Sequence, residues 1–206
     1  MKKNEEYIVT CIDDTDLNSG VVKIDDMVVF VPNLLIGEKA KIKIVKVNKK
    51  YAFGIIIQLL EPSINRQELT CEVAKTCGGC QLQHMKYTYQ LEYKYKHVKK
   101  LFDDIEVKPI LGMNTPWYYR NKAQFPVKIK DGNVLMGFYR QHSNDVVTCK
   151  ECKIQDHAIN EVFSFIQNHI TLEMAEGLRH IFIRHSSTNE IQVVFIGKSE
   201  KPILSL

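Results

Sequence analysis

Four of the six cysteines stand where their spacing allows shared chemistry. Cys71, Cys77 and Cys80 lie in the run CEVAKTCGGC, with five residues between the first pair and two between the second. Cys152 follows far downstream. Three thiolates on a short loop can take one metal centre, because the loop bends around it, and a distant fourth ligand ties two segments together. Gly78 and Gly79 lack β-carbons, so the backbone there can turn sharply and bring amide N–H groups close to sulfur. Such a set suits a tetrahedral zinc or an iron–sulfur cluster. A rival zinc set pairs Cys77-x2-Cys80 with Cys149-x2-Cys152. Cys11, in an apolar run, is expected to be a buried core residue.

A second set of residues could handle a polyanion. Arg120, Asn121, Lys122 and Gln124 follow Trp117-Tyr118-Tyr119. Cations beside aromatic rings hold phosphates and stack bases; the same pattern also fits a strand with exposed polar alternates. His84, in QLQHM, either lines the cysteine site or is a satisfied structural residue.

The elements that must position these groups fall into two regions. Residues 1–63 read as five short strands, the hallmark of a small OB-like barrel: Tyr7–Asp14, Gly20–Ile24, Met27–Val31, Lys39–Val47 and Tyr51–Leu60. In Lys39–Val47, KAKIKIVKV, lysine alternates with apolar residues, the period of a half-buried strand. Asp25-Asp26 reads as a tight turn, and Pro62 marks the exit. Residues 64–206 read as a mixed α+β region. The cysteine loop leads to a helix over Tyr87–Phe102, with Leu91, Tyr95, Val98 and Phe102 expected on its apolar face and Asp103-Asp104 at its solvated end. Phe125, Val127 and Ile129 form a hairpin with Val134–Phe138 through Asp131-Gly132. Asp156–Ile170 reads as a helix with Ile159, Val162, Phe163, Ile166 and Ile170 inward. Leu178–His185 and Ile191–Ile196 read as strands, and the final segment through Leu206 carries no evident closing element.

Composition narrows the class. The chain has 206 residues and a net charge of +4, with 45% hydrophobic and 25% charged residues, ordinary for a globular protein. No apolar run nears the roughly 20 residues that span a bilayer, and the N-terminus lacks the apolar stretch of a secretory signal. A reducing cytoplasm is therefore expected, where cysteines serve metals more often than disulfides. Residues 1–63 carry nine basic and nine acidic side chains, residues 64–150 fourteen and eight, and residues 151–206 five and seven. The positive excess lies around the cysteines, as a polyanion-binding surface would require and a solvated lysine-rich face would also produce.

CEVAKTCGGCQLQHMKYTYQLEYK resembles the cluster signature of the S-adenosylmethionine-dependent RNA uracil-5-methyltransferases of the TrmA/RumA type. VVFVPNLLIGEKAKIKIVKVNKKYAFGIIIQLLEPSINR is similar to the TRAM part of that family, an OB-like RNA-binding barrel. WYYRNKAQFPV resembles the segment after the cluster loop, and CKIQ at Cys152–Gln155 the fourth-ligand site. The resemblance implies a 4Fe–4S cluster on Cys71, Cys77, Cys80 and Cys152, with Cys149 a spare neighbour. It also implies a monomer that binds rRNA or tRNA, with no membrane association. The early segment DDTDLNSGVVKIDD holds fewer glycines than is usual for that turn. Radical chemistry on S-adenosylmethionine is disfavoured, since that class typically uses Cys-x3-Cys-x2-Cys.

In that family the cofactor-binding Rossmann domain, catalytic cysteine and general base lie beyond the point corresponding to Leu206. The ten glycines of this chain form no G-x-G, the turn by which backbone approaches such a cofactor. The expectation is therefore an RNA-binding and iron–sulfur portion that transfers no methyl group alone, S-adenosylmethionine being bound in the full-length parent. The alternative is a complete, non-catalytic zinc- or cluster-bearing nucleic-acid-binding protein.

Overall fold

The computed structural model describes residues 1–102 and 104–198. Asp103 and residues 199–206, and with them the expected tail and half of the Asp103-Asp104 helix end, lie outside the described residues. The chain divides into two compact units. One takes Met1–Glu68 and Gln81–Gly112; the other takes Leu69–Cys80 and the chain from Met113 on. Among the described residues no helix is long and apolar enough to cross a membrane.

The first unit is built on β1 (Glu6–Thr10), β2 (Asp13–Asp14), β3 (Ser19–Ile24), β4 (Met27–Pro32), β5 (Lys39–Val47) and β6 (Tyr51–Glu61). They form one sheet in the order β1-β5-β6-β4-β3-β2, six strands where the sequence reading counts five in a barrel. The difference arises at Cys11-Ile12, where the apolar run Tyr7–Asp14 changes partner. Cys11 donates its backbone N–H to Glu38 O, and Ile12 donates to Val21 O. One continuous segment thus supplies both edge strands, and the sheet must curl for it to do so.

The lysine alternation of β5 behaves as its period demands. Ala40, Ile42 and Ile44 are fully buried, with Val22, Val29, Val31 and Ala52 around them. Each such aliphatic branched side chain contributes roughly 1.5–3 kcal/mol by leaving water. Cys11 is buried in the same core. Asn18 and Asn33 sit at φ +57 and +63. Asparagine tolerates that left-handed backbone better than most residues, so the early turn manages with few glycines. Asn18 Nδ2 then donates to Asn33 Oδ1 (2.9 Å) and Gln81 O (2.7 Å).

Helix α1 (Tyr87–Lys99) turns a different side inward from the one its aliphatic residues mark. Val98 and Phe102 are exposed, whereas Tyr93 is buried with Leu35 and Met85, and Tyr89 packs beside it. Tyrosine buries its ring when its hydroxyl finds a partner: Tyr93 Oη donates to Thr15 O and accepts from Asn18 N. Lys96 adds ion pairs to Asp14 (2.8 Å) and Asp13 (3.1 Å). The helix is oriented by polar anchors that hydrophobic periodicity does not register.

The second unit is a five-stranded antiparallel sheet backed by a helix. Its strands are β7 (Lys122–Lys130), β8 (Asn133–Tyr139), β9 (Val146–Thr148), β10 (Leu178–His185) and β11 (Ile191–Gly197), in the order β11-β10-β7-β8-β9. Asp131 and Gly132 both take positive φ, as the two-residue β7–β8 hairpin requires. Helix α2 (His157–His169) starts at Asp156, whose side chain accepts from Ala158 N. The α2 residues Ile159, Phe163 and Ile166 pack on Ala123, Phe125, Ile181 and Ile183, with Phe125 and Phe163 stacked at 4.3 Å. A short α3 (Leu172–Ala175) follows. Neither β9 nor α3 stands out in the sequence.

Candidate metal centre and nucleic-acid face

All the residues named for metal binding belong to the second unit. The loop carrying Cys71, Cys77 and Cys80 is a series of turns held by its own backbone: Ala74 N–H to Cys71 O, then Thr76 and Cys77 N–H to Val73 O. Val73 packs into the core of the unit and anchors the loop. Cys77 bridges Arg140, Gly78 N donates to Tyr139 O (2.8 Å), and Gln141 N donates to Thr76 O. A β-carbon on Gly78 would sit 3.1 Å from Tyr139 O and 3.3 Å from Gln141 backbone, so this close docking favours glycine. Gly79 N donates to Cys77 Sγ at 3.3 Å.

Cys152 approaches from the turn before α2. Asn160, on the buried side of that helix, grips it at both ends: Cys152 N donates to Asn160 Oδ1 (2.9 Å), and Asn160 Nδ2 donates to Cys152 O (3.1 Å). Asn160 also donates to Gln155 O. Lys150 N donates to Glu72 Oε1 (2.9 Å), stitching this segment to the cysteine loop.

The thiols share one neighbourhood. Burial pushes the Cys80 thiol up to about 11, and the charges of Cys152, Cys77 and Cys71 push the same way, with Arg120 opposing. Burial likewise raises Cys77, against the Gly79 N–H. It raises Cys152 against the N–H groups of Ile154 and Gln155. Cys149 is buried and pushed up to about 12, by burial and then by Cys152, Cys77 and Cys71. All six cysteines are free thiols. Thiolates crowded in this way become favourable when a metal takes their charge, and binding then releases protons.

Among the described residues no three His, Cys, Asp or Glu side chains close around a single ion. By donor type alone, a set of four thiols suits either a tetrahedral zinc or an iron–sulfur cluster.

Arg120, Asn121, Lys122 and Gln124 are all exposed. Arg120 is brought beside the cysteines: its N donates to Ile154 O, its O accepts from Asp156 N, and it bridges Gln155. Lys122 and Gln124 occupy the outer side of β7, opposite Arg184 and Phe182 of β10. Tyr118 takes φ +55, stacks on His157 at 3.9 Å and donates to Glu151 (2.9 Å). His84 belongs to the first unit. It is buried, and its pKa is lowered to about 4, first by burial and then by Arg66. Sequence reasoning overlooks Asn160 and Arg184. The signal for Asn160 is a polar residue on an otherwise apolar helix face; Arg184 gives none.

Comparison with known proteins supplies the setting. The TRAM domain model matches residues 3–57. An uncharacterized RNA methyltransferase of Oceanobacillus iheyensis is 42% identical over 218 residues, covering 98% of this chain and 47% of the relative. Another, of Clostridium acetobutylicum, is 38% identical, covering 97% and 47%. The chain thus spans about half the length of the curated relatives it matches. The crystal structure of Pyrococcus abyssi tRNA (uracil-54, C5)-methyltransferase with S-adenosyl-L-homocysteine superimposes with a TM-score of 0.62 over 94% of this chain and 46% of that one, at 24% identity. At that identity the likeness is one of fold. With a TRAM domain and relatives so named, the chain belongs to the RNA methyltransferase family that these relatives represent.

Proposed function

We propose that this chain grips and orients rRNA or tRNA for methylation of uracil at carbon 5, and that Cys71, Cys77, Cys80 and Cys152 hold a 4Fe–4S cluster. The observation that carries the metal reading is the contact that stitches the Cys152 segment to the cysteine loop, Lys150 N donating to Glu72 Oε1 at 2.9 Å. It is supported by backbone contacts that dock the cysteine loop on residues 139–141 and Cys152 on Asn160. When bound, the cluster supplies a covalent tie between the loop and the segment before α2. The target specificity draws on the fold shared with the archaeal tRNA enzyme.

In the reaction proposed for the methyltransferase as a whole, a cysteine thiolate adds to carbon 6 of uracil. Carbon 5 then takes the methyl group of S-adenosylmethionine, and a base removes the carbon-5 proton as the thiolate departs. Reaching the ring requires extruding the base from any helical stack, at about a few kcal/mol. The part assigned to this chain is positioning: Arg120 and Lys122 hold phosphates, and Asn121 and Gln124 offer hydrogen bonds beside them. Cytoplasmic, monomeric action belongs to the same proposal.

Two measurements test it. Anaerobically purified protein should hold about four irons per chain, and one zinc without iron would overturn the cluster reading. Arg120→Ala with Lys122→Ala should weaken RNA binding and flatten the slope of log K against log salt by about 0.7 per lost contact, with the iron content unchanged. Unaltered affinity would remove those residues from the RNA path.

A further inference from the structure

Residues 1–63 carry as many basic as acidic side chains, yet the charges of the first unit are segregated. Glu6 pairs with Lys41, Glu61 with Lys39, Asp13 and Asp14 with Lys96, and Glu38 with Arg66. Lys23, Lys46, Lys49 and Lys50 are exposed, and none is in an ion pair among the described residues. These four are gathered by the register of the sheet. Lys46 lies opposite Phe53. Lys23 lies opposite Val28, which in turn lies opposite Tyr51. Lys49 and Lys50 form the β5–β6 turn, closed by Asn48 N donating to Tyr51 O.

Beside these cations sit three aromatic side chains. Phe30 lies between the fully buried Val29 and Val31, and Phe53 follows the fully buried Ala52, so alternation turns both outward. Phe30 pairs with Phe53 across β4 and β6. Tyr51 joins them, its ring centre 5.8 Å from Phe30 and 5.5 Å from Phe53, edge-on to both. Tyr51 is 40% exposed, and the apolar strip continues into Ile55 at 47% and Ile57 at 46%. Asp25 and Asp26 of the β3–β4 turn bound the patch at one end. A cross-strand aromatic pair by itself is ordinary sheet packing. The uncovered Tyr51 ring and the four unpaired lysines go beyond what packing needs.

We propose that Phe30, Tyr51 and Phe53 form a base-stacking platform for single-stranded RNA, with Lys23, Lys46, Lys49 and Lys50 taking the phosphates on either side. Bases offer flat π-faces to exposed rings, and the strand's charge matches the unpaired lysines. This rests on the reading of the chain as an RNA-binding protein and adds a second contact region, within the TRAM sheet, to the Arg120–Gln124 segment. Because stacking needs no hydrogen-bond code, the platform tolerates any base and requires the strand to be unpaired.

The test compares a short single-stranded oligoribonucleotide with an abasic oligomer of equal length, by fluorescence anisotropy. Tyr51→Ala should weaken binding of the base-bearing strand by about five- to a hundredfold and leave the abasic strand nearly unchanged, while Tyr51→Phe binds as the parent does. If Tyr51→Ala unfolds, Tyr51→Leu keeps apolar bulk without the ring and should show the same selective loss. Equal loss for both strands, or none, overturns the platform. The Arg120→Ala, Lys122→Ala variant separates the two readings: weakened binding there with a silent Tyr51→Ala sinks only the platform. An unmodified chain that binds neither oligomer sinks both.

Discussion

Arg66 clasps the fully buried carboxylate of Glu38 with two nitrogens, Nε to Oε1 at 2.5 Å and Nη2 to Oε2 at 2.7 Å. Leu35 N and Ser63 N also donate to that carboxylate, and Arg66 donates to Asn33 O. Burial favours the neutral acid, but these donors outweigh it and hold the Glu38 pKa below its ordinary 4.5. Arg66→Ala should therefore destabilise the first unit by about 3–5 kcal/mol, by stranding a buried charge. The folded state binds the Glu38 proton less tightly than the unfolded chain. The pair's stabilisation is thus complete above pH 4.5 and lost as pH falls through the lower folded value. Thermal unfolding against pH measures this, and Glu38→Gln should abolish that part of the dependence.

His84 gives a separate acid window. Its pKa falls from 6.5 to about 4, chiefly through burial, and its Nε2 has no hydrogen-bond partner among the described groups. A base with a lowered folded pKa stabilises fully above pH 6.5 and loses that contribution as pH drops toward 4, on the order of 3 kcal/mol. His84→Phe should flatten the stability profile between those values. A profile unchanged by the substitution would mean that His84 stays solvated.

Asn160 should govern the proposed metal site without touching sulfur. Asn160→Ala removes the side chain that holds both backbone ends of Cys152, exposing buried donors and acceptors at a cost of about 1–3 kcal/mol each. Iron retention should fall, with faster loss to a chelator, while RNA affinity at low salt stays near that of the parent. Full iron retention at the parent's chelation rate would leave Asn160 a helix residue and nothing more.

Cys11 and Cys149 should be poor nucleophiles. Burial pushes them up to about 11 and about 12, so at neutral pH almost no thiolate forms at either, and the thiolate is the reactive species. Brief alkylation of folded protein at pH 8 followed by mass spectrometry should leave both unmodified. With the other four thiols assigned to metal, the 206-residue chain should transfer no methyl group and show no saturable S-adenosylmethionine binding by calorimetry. Micromolar binding would refute that assignment.

Features governed by local chemistry were legible in the sequence. KAKIKIVKV forms the strand its alternation requires, Asp131-Gly132 makes the hairpin turn, and Asp156 caps the helix that Ile159, Phe163 and Ile166 bury. Features governed by distant partners were hidden. The run Tyr7–Asp14 splits because Glu38 and Val21, far apart in sequence, claim neighbouring amides. Helix α1 is oriented by the Tyr93 hydroxyl and the Lys96 charge, which hydrophobicity does not weigh. The neutral total of residues 1–63 concealed which lysines were paired, since pairing depends on register. Among the candidate site residues, the close spacing of Cys71, Cys77 and Cys80 was visible, whereas the clamp of Asn160 on Cys152 exists only once α2 has formed.

The chain enters the second unit for residues 69–80, returns to the first for 81–112, and re-enters the second at Met113. This interleaving sets a timetable during translation. The cysteine loop leaves the ribosome well before Tyr139, Arg140 and Gln141, the backbone it docks against, and before Cys152. At about 5–20 residues per second, its thiols wait several seconds without a docking surface or a fourth partner. If the four thiols hold the proposed cluster, metal taken up in that interval would find an incomplete shell, so loading should follow synthesis of the segment that carries Cys152, and a nascent chain stalled before residue 152 should remain iron-free.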